Sequence, residues 1–430
     1  MLKFGRYLLL GLIVTTLWVS QGQSMSIFFA KAPTPLSFIQ ANQLKLAKQI
    51  AQTRMGNIVI EVVNSQQQPI GGVEVKIEQV THEFEFGTAL STQMFAPGND
   101  PTDRSRYLQL AKQLFNATVH ENALKWDAME PQRGQLSYAD ADRILSWSKA
   151  NSLPLRGHTI FWEVEQWNPT WLKSLSPQDL RSAVERRATE ICGRYRGRIR
   201  EYDVLNEMLH GDFFRQRLGA DIVKTMFQRC HAADPSAVLY VNDYDILNGK
   251  RLDDYVRQIR SLLAQGVPVG GIGIQAHILK ETVAPAQIQH SLDTLAQFNL
   301  PIKITEFSTQ TATEQEQAQN LLNVYQIAFA HPQVKGILMW GFWEKAHWVP
   351  QAAIFDSSFR PKLAAKVYQE LIFRQWWTQK SGNTNRNGQF SNRAFFGRYR
   401  VTVKGRNWSR TRLFSFSSQM NQSRVLKFIK

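Results

Sequence analysis

Apolar and polar residues alternate with two different periods along the chain, and the change of period marks its organisation. From Asn57 to Gln79 the period is two: NIVIEVV is followed by a turn-rich NSQQQPIGG and then by VEVKIEQ. This period predicts two short β-strands. Because two strands cannot enclose a core alone, we expect them to pack against another part of the chain.

From Phe84 to Trp377, short apolar runs alternate with stretches in which apolar residues recur at helical spacing. One helix is predicted to begin at Ser176-Pro177, a capping residue followed by proline in the first turn. Eight strands alternating with helices predict an α/β fold, the closed parallel (β/α)8 TIM barrel, with a doubly wound open sheet as the alternative. The predicted strands span residues 86–90, 115–120, 155–162, 201–207, 238–243, 271–277, 302–307 and 337–343.

Beyond Trp377 the chain becomes rich in Asn, Ser and Arg, and AFFGRYRVTVKG again predicts β-structure. We expect this extension to pair with the N-terminal strands as a small accessory β-module, and residues beyond about Ser409 to be poorly ordered. The patterns thus predict four segments. They are a signal peptide and leader (1–32), a linker helix with accessory strands (33–80), the barrel (81–377) and a basic extension (378–430).

The N-terminus has the layout of a signal peptide. Lys3 and Arg6 precede an apolar run from Tyr7 to Val19, which is shorter than the roughly 20 residues of a membrane-spanning helix. We therefore expect export to the periplasm, the cell surface or the medium, with an uncleaved anchor as the alternative.

Charge and cysteine content add two further expectations. The net charge is +16, and twelve Lys and Arg with no Asp or Glu follow Thr378, which leaves +4 for the rest of the chain. Such an extension is either a solvated surface or a weak contact for an acidic polysaccharide or other surface, and we expect no nucleic-acid partner. The two cysteines, Cys192 and Cys230, are too few for a disulfide framework, and we expect buried free thiols rather than one bridge or a reactive thiol.

Polar residues follow most of the predicted barrel strands, where catalytic side chains of such barrels lie. They combine carboxylates, amides, imidazoles and indoles, a mixture typical of sugar-binding sites. Glu207 and Glu306 end the fourth and seventh predicted strands. Two carboxylates suffice for glycoside hydrolysis, but spacing alone does not identify such a pair, because any barrel has several acids at its strand ends and many of them form ion pairs.

Six motifs occur in order on the predicted strands: ENALKW, RGHTIFW, DVLNEM, GIGIQAH, ITE and MWGFWEKAHW. Together they resemble glycoside hydrolase family 10, a xylanase family with a (β/α)8 barrel, and most closely its plant-type branch. The similarity runs from about Phe84 to Trp377.

The resemblance implies a role for each matching residue. Glu207 would be the general acid/base and Glu306 the nucleophile, with His277 hydrogen-bonded to the nucleophile and Asn206 holding the sugar 2-hydroxyl. The remaining substrate-binding residues would be Glu121, Asn122 and Lys125 at the second glycone position, His158, Trp162, Gln275, Trp340 and Trp348 around the cleaved sugar, and Tyr244 on the aglycone side. No cofactor and no catalytic metal are implied.

Three positions depart from the family pattern. Glu163 replaces a histidine of many bacterial relatives, Phe307-Ser308 stands where Leu-Asp is usual, and Phe342–Glu344 crowd the loop after the eighth strand. Glu163 could shift the pKa of its neighbours. These departures leave the pH optimum and the substrate preference open.

The sequence therefore predicts a secreted, monomeric, retaining endo-β-1,4-xylanase that binds polysaccharide. Two alternatives remain at this point: a non-catalytic polysaccharide-binding wall protein, or a glycosidase or transglycosylase that acts on another β-linked glycan.

Overall fold

The computed structural model describes residues 35–419 and 423–430, with side chains from residue 44 onward. Its first element is helix α1 (Pro35–Arg54). The strands are β1 (Met55–Val63), β2 (Glu74–His82), β3 (Glu85–Leu90), β4 (Ala117–His120), β5 (Leu155–Arg156), β6 (Phe161–Trp162), β7 (Glu201–Asn206), β8 (Val238–Asp243), β9 (Gly271–Ile274), β10 (His277–Leu279), β11 (Ile302–Gln310), β12 (Val334–Met339), β13 (Gln379–Asn383), β14 (Gln389–Phe395), β15 (Gly397–Gly405), β16 (Trp408–Phe416) and β17 (Ser423–Ile429).

Helices alternate with the strands between β3 and β13. They are α2 (Pro101–Leu114), α3 (Trp126–Met129), α4 (Ala139–Ala150), α5 (Thr170–Lys173), α6 (Pro177–Arg194), α7 (Phe213–Leu218), α8 (Ile222–Ala233), α9 (Leu252–Ala264), α10 (Pro285–Ala296), α11 (Glu314–Ala330) and α12 (Leu363–Glu370). The predicted start of α6 is present: the Ser176 hydroxyl accepts a hydrogen bond from the Asp179 amide at 3.1 Å, and Pro177 opens the helix.

Strands β3 to β12 form a parallel sheet that closes on itself. The strand order is β5-β4-β3-β12-β11-β9-β8-β7-β6, and the short β10 pairs with β11 beside this path. Strands β5 and β6 are two pieces of one interrupted strand over residues 155–162. Between them, the Gly157 amide donates to Glu201 O and the Ile160 amide donates to Asp203 O, both at 3.0 Å. This segment joins β4 to β7, so the predicted (β/α)8 barrel is confirmed.

The accessory β-module is also confirmed, and it contains more β-strands than the sequence predicted. It contains two sheets, β14-β1-β17 and β13-β2-β15-β16. A core that includes Ile58, Ile60, Val75 and Val401 is buried between them. The predicted poor order beyond Ser409 is wrong, because β16 and β17 complete the two sheets and the side chain of Phe428 is buried in this core.

The expectation of free thiols is wrong as well. Cys192 on α6 and Cys230 on α8 form a disulfide, with Cα atoms 5.3 Å apart. The two cysteines lie 38 residues apart in sequence and meet because α6 and α8 pack side by side. Sequence spacing carries no information about that packing, so only the folded chain brings the thiols together.

Reducing this disulfide is expected to lower the free energy of unfolding by about 2–4 kcal/mol, since the bridge restricts the unfolded chain. Thermal unfolding with and without reductant would measure the effect. The double variant Cys192→Ala/Cys230→Ala is the control, and its stability should not respond to reductant. Equal stability of the reduced and oxidised wild type would contradict the prediction.

Two observations concern the predicted leader and the possibility of a membrane-spanning helix. The predicted signal peptide and leader (1–32) lie outside the described residues. Within residues 35–419 and 423–430, every helix is too short or too polar to cross a membrane.

Candidate active site

A cleft of about 640 Å³ opens at the carboxyl ends of the barrel strands. Every site residue predicted from the sequence lines it, including Glu207, Glu306 and the aromatic residues Trp162, Tyr244, Trp340 and Trp348. Binding sites of (β/α)8 enzymes lie at this end of the barrel. The described residues contain no group of three or more His, Cys, Asp or Glu side chains that could hold a metal ion.

Glu306 lies within β11 and is almost fully buried. Asn242 Nδ2 donates to its Oε1 at 2.6 Å, His277 Nε2 lies 3.3 Å from its Oε2, and His158 Nδ1 lies 3.6 Å from its Oε1. Burial alone would raise the pKa of this carboxyl, but the two imidazoles oppose it, and the resulting pKa is below the usual value. The surroundings of Glu306 therefore favour the ionised carboxylate, the form that a nucleophile needs.

Glu207 directly follows β7, and its φ of 59° lies in the left-handed region that residues other than glycine rarely adopt. Its amide donates to Asn242 O at 2.9 Å, which holds the turn. Trp162 Nε1 donates to its Oε2 at 2.7 Å, Gln275 Nε2 to its Oε1 at 3.0 Å, and Asn206 Nδ2 to its Oε1 at 3.3 Å. Strained backbone of this kind is concentrated at functional sites.

The pKa of Glu207 is raised, in contrast to that of Glu306. Burial is the largest cause, and the negative charges of Glu306 and Asp243 add to it. The hydrogen bonds from Gln275 and Trp162 act in the opposite direction and are outweighed. Two carboxyl groups whose surroundings move their pKa values apart suit one acid and one base or nucleophile.

Behind His158 lies a buried ion pair that sequence reasoning did not assign to the site. Asp203 Oδ2 is 3.0 Å from His158 Nδ1, and Arg156 donates to both Asp203 oxygens, at 2.6 and 3.1 Å. The Arg156 guanidinium also lies 3.0 Å from Glu201, which pairs in turn with Lys303. Both Arg156 and Asp203 occur inside the quoted motifs, but their position within strands gave no sign that they pair behind the nucleophile.

Two more unassigned residues complete the site. Asn242 contacts both predicted catalytic residues, since its side chain donates to the Glu306 carboxylate and its backbone oxygen accepts from the Glu207 backbone amide. The His210 ring stacks on Tyr244 with centroids 3.5 Å apart, and His210 Nδ1 lies 2.8 Å from Asp243 Oδ1. His210 is three residues after Glu207 and lies just beyond the DVLNEM motif, which is the only sequence signal it offered.

The predicted glycone residues lie together at one side of the cleft. Lys125 Nζ donates to Asn122 Oδ1 at 2.7 Å and lies 4.6 Å from the centre of the Trp162 ring. Burial raises the pKa of the Glu121 carboxyl and lowers the pKa of the Lys125 ammonium. The cleft therefore holds an amide, a cation and an acid beside an aromatic face.

Two indoles from the loop after β12 border the cleft. The Trp340 ring lies 4.8 Å from the His158 ring and is buried, whereas Trp348 is 51% exposed with its ring 4.9 Å from that of His277. Trp340 therefore forms part of the floor, and Trp348 offers an open aromatic face.

Glu163, the departure that we expected to influence the site directly, does not line the cleft. Its buried carboxylate accepts from the Phe214 amide at 3.0 Å and from Arg215 Nε at 2.9 Å. Arg215 also donates to Met208 O at 2.6 Å. Glu163 therefore fixes the segment that follows Glu207, and its charge is matched by Arg215.

The family model of glycosyl hydrolase family 10 matches residues 77–371. The anti-sigma-I factor RsgI6 of Acetivibrio thermocellus is 39% identical over 365 residues, 85% of this chain and 46% of that protein. Endo-1,4-beta-xylanase 1 of Arabidopsis thaliana is 35% identical over 368 residues, 83% of this chain and 37% of that protein. The chain thus spans less than half the length of these curated relatives.

Solved structures agree with the family match. The crystal structure of xylanase 10B from Thermotoga petrophila RKU-1 in complex with xylobiose superposes with a TM-score of 0.63 at 26% identity. The match covers 68% of this chain and 95% of that chain. The chain therefore belongs to glycosyl hydrolase family 10.

Proposed function

We propose that this protein is an endo-acting hydrolase of β-1,4-xylan or a closely related β-linked polysaccharide, acting as a monomer and retaining the anomeric configuration. The observation that carries the proposal is the pair Glu207 and Glu306 in one cleft, with pKa values displaced in opposite directions. The names of the Arabidopsis and Thermotoga relatives support xylan as the substrate.

In the first step, the ionised Glu306 carboxylate attacks the anomeric carbon while protonated Glu207 donates its proton to the departing glycosidic oxygen. Burial of Glu207 keeps that proton available, and the imidazoles beside Glu306 keep the attacking oxygen charged. In the second step, Glu207 accepts a proton from water, which attacks the glycosyl-enzyme ester and releases Glu306.

Neighbouring side chains orient the sugar for this reaction. Asn206 Oδ1 accepts from Asn242 Nδ2 at 2.9 Å and from Gln275 Nε2 at 3.2 Å, which fixes its amide plane beside Glu207. An amide held in this way can bind the sugar 2-hydroxyl in one orientation, a contact that strengthens in the transition state. Trp340 supplies an apolar face for the ring at the point of cleavage.

The test is the release of reducing sugar from glucuronoxylan, arabinoxylan and carboxymethyl cellulose by the purified protein. Cleavage of the xylans with a product of β-configuration, followed by NMR before mutarotation, supports the proposal. A folded protein that releases nothing from any xylan contradicts it.

A second candidate is binding of polysaccharide without turnover, and similarity to a protein named as an anti-sigma factor is the observation that favours it. Both carboxylates and their hydrogen-bond partners are in place, which favours hydrolysis. Retention of the wild type on insoluble xylan without release of sugar would establish the second candidate.

Trp162→Phe is expected to move the alkaline limb of the pH profile of kcat/KM to higher pH. The indole N–H stabilises the ionised form of Glu207 and so lowers its pKa. Without this hydrogen bond the pKa of Glu207 rises further, and the proton-donating form persists to higher pH. The acid limb, which depends on ionisation of Glu306, should keep its position.

Initial rates on a xylo-oligosaccharide across the pH range of the folded protein provide the measurement. Trp171→Phe is the matched control, because the Trp171 indole donates to the backbone oxygen of Glu130 at 2.9 Å and lies outside the cleft lining. An alkaline limb that stays in place or moves to lower pH would contradict the assignment of Glu207 as the acid.

We also propose that the protein is exported. The signal-like N-terminus and the Cys192–Cys230 disulfide support this, because disulfides persist in oxidising compartments. N-terminal sequencing of the protein from the culture medium and the periplasm would detect cleavage. Recovery of the uncleaved chain from the cytoplasm alone would contradict export.

The basic extension is proposed to make a weak contact with acidic polysaccharide. Arg398, Arg400 and Lys404 are exposed on one face of β15, at alternating positions. Retention on glucuronoxylan should exceed retention on uncharged xylan and fall with added salt. Equal retention on the two polymers would contradict the contact.

A further inference from the structure

Trp167 is a large aromatic residue that the motifs did not include, and it also lines the cleft. It ends the short 3-10 helix Glu165–Trp167, which follows β6. The side chain is 47% exposed, and its ring stacks on Trp162 with centroids 5.3 Å apart and planes 21° apart. A tryptophan with a purely packing role would be expected to bury most of its surface.

The loop that carries Trp167 is held in place by buried hydrogen bonds. Asn168 is 5% exposed, and its Nδ2 donates to Trp162 O at 2.7 Å and to Val164 O at 3.1 Å. The Trp167 amide donates to Val164 O at 3.1 Å. The half-exposed indole is therefore fixed in orientation before any ligand arrives, which lowers the entropy cost of binding.

Trp167 extends an aromatic surface that begins beside the nucleophile. His158 lies next to Glu306, the Trp162 ring is 6.5 Å from the His158 ring, and the Trp167 ring follows at 5.3 Å from Trp162. The exposed fraction of the side chain increases along this series: His158 is buried, Trp162 is mostly buried and Trp167 is 47% exposed. The surface thus leads from the reacting centre to the rim of the cleft.

We propose that Trp167 forms a further sugar-binding position at the rim, where its indole stacks on the apolar face of one pyranose ring of a β-1,4-linked oligosaccharide. This inference rests on the proposed function and specifies the length of chain that the cleft holds. A flat indole beside polar side chains is the surface that a pyranose ring requires. Because Trp162 contacts Glu207 and Trp167 stacks on Trp162, Trp167 would bind a sugar of a longer chain rather than the sugar at the point of cleavage.

The test compares Trp167→Ala with wild type on two substrates, xylohexaose and an aryl β-xyloside that occupies only the point of cleavage. We expect KM for xylohexaose to rise about tenfold, which corresponds to about 1.4 kcal/mol of lost binding free energy. The kcat/KM for the aryl xyloside should be unchanged. Trp167→Phe should restore most of the loss, since it keeps an aromatic face.

Leu136→Ala is the matched control, because Leu136 is an exposed apolar residue outside the cleft lining and its removal should change neither substrate. An equal loss on both substrates, or a shifted pH profile, would overturn the proposal, because Trp167 would then act through Trp162 on Glu207. An unchanged KM for xylohexaose in the folded variant would overturn it too.

If the wild type cleaves no xylan, the proposed function fails and the subsite is tested by binding instead. Titration of wild type and Trp167→Ala with xylohexaose, cellohexaose and mannohexaose would then measure affinity directly. Weaker binding of whichever hexaose the wild type binds supports the subsite, and equal binding or none overturns it.

Discussion

Glu306→Gln is expected to lower kcat on xylan by about 10⁶-fold, comparable to the loss when the nucleophile of another covalent enzyme is removed. The amide cannot attack the anomeric carbon, so the glycosyl-enzyme ester does not form. The substitution keeps the size of a side chain that is 4% exposed, so the fold should be retained. Reducing-sugar release and circular dichroism on the same preparation measure both effects.

Glu281→Gln is the matched control for this variant. Glu281 also lines the cleft, but it is paired at the rim with Lys250 at 2.8 Å and with Asn248 at 3.0 Å. Its loss should change kcat/KM by no more than about fivefold, since exposed ion pairs contribute about 1 kcal/mol or less. Activity of Glu306→Gln near the wild-type level would contradict the double-displacement mechanism.

Arg156→Met is expected to lower the free energy of unfolding by about 3–5 kcal/mol. The Arg156 and Asp203 side chains are each 1% exposed, and Arg156 also balances Glu201. Removing the guanidinium would leave Asp203 buried, with His158 as its remaining close partner. A buried carboxylate without a matching charge is costly, and protonation of that carboxylate would disturb the imidazole beside Glu306.

Denaturant unfolding of wild type and variant provides the measurement. Arg200→Met is the control, because Arg200 is exposed and its removal should change the free energy of unfolding by no more than about 0.5 kcal/mol. Arg156→Met/Asp203→Asn should recover part of the lost stability, because both buried charges are then absent. A single variant as stable as wild type would mean that water enters and solvates the Asp203 carboxylate.

Several elements of the fold followed from local patterns. The strand predicted at 238–243 has the bounds of β8, in which a short run rich in β-branched and aromatic residues is followed by Asn242 and Asp243. The strand predicted at 271–277 is instead divided into β9 and β10, since Ala276 adopts a φ of 61°. The ordered β16 was missed because its exposed arginines and serines obscure the strand pattern, and it is held by pairing with β15.

The sequence by itself determined that the chain forms a barrel and which side chains line its cleft, Glu207 and Glu306 among them. These features depend on the alternation of strands and helices and on which residues follow each strand. Only the tertiary structure decided which charges are matched and which thiols meet. The contact of Asp203 with His158, the hydrogen bond from Asn242 to Glu306 and the Cys192–Cys230 bridge all join residues that are remote in sequence. The opposite pKa displacements of Glu207 and Glu306 have the same origin, because burial and the distance between charges exist only in the folded chain.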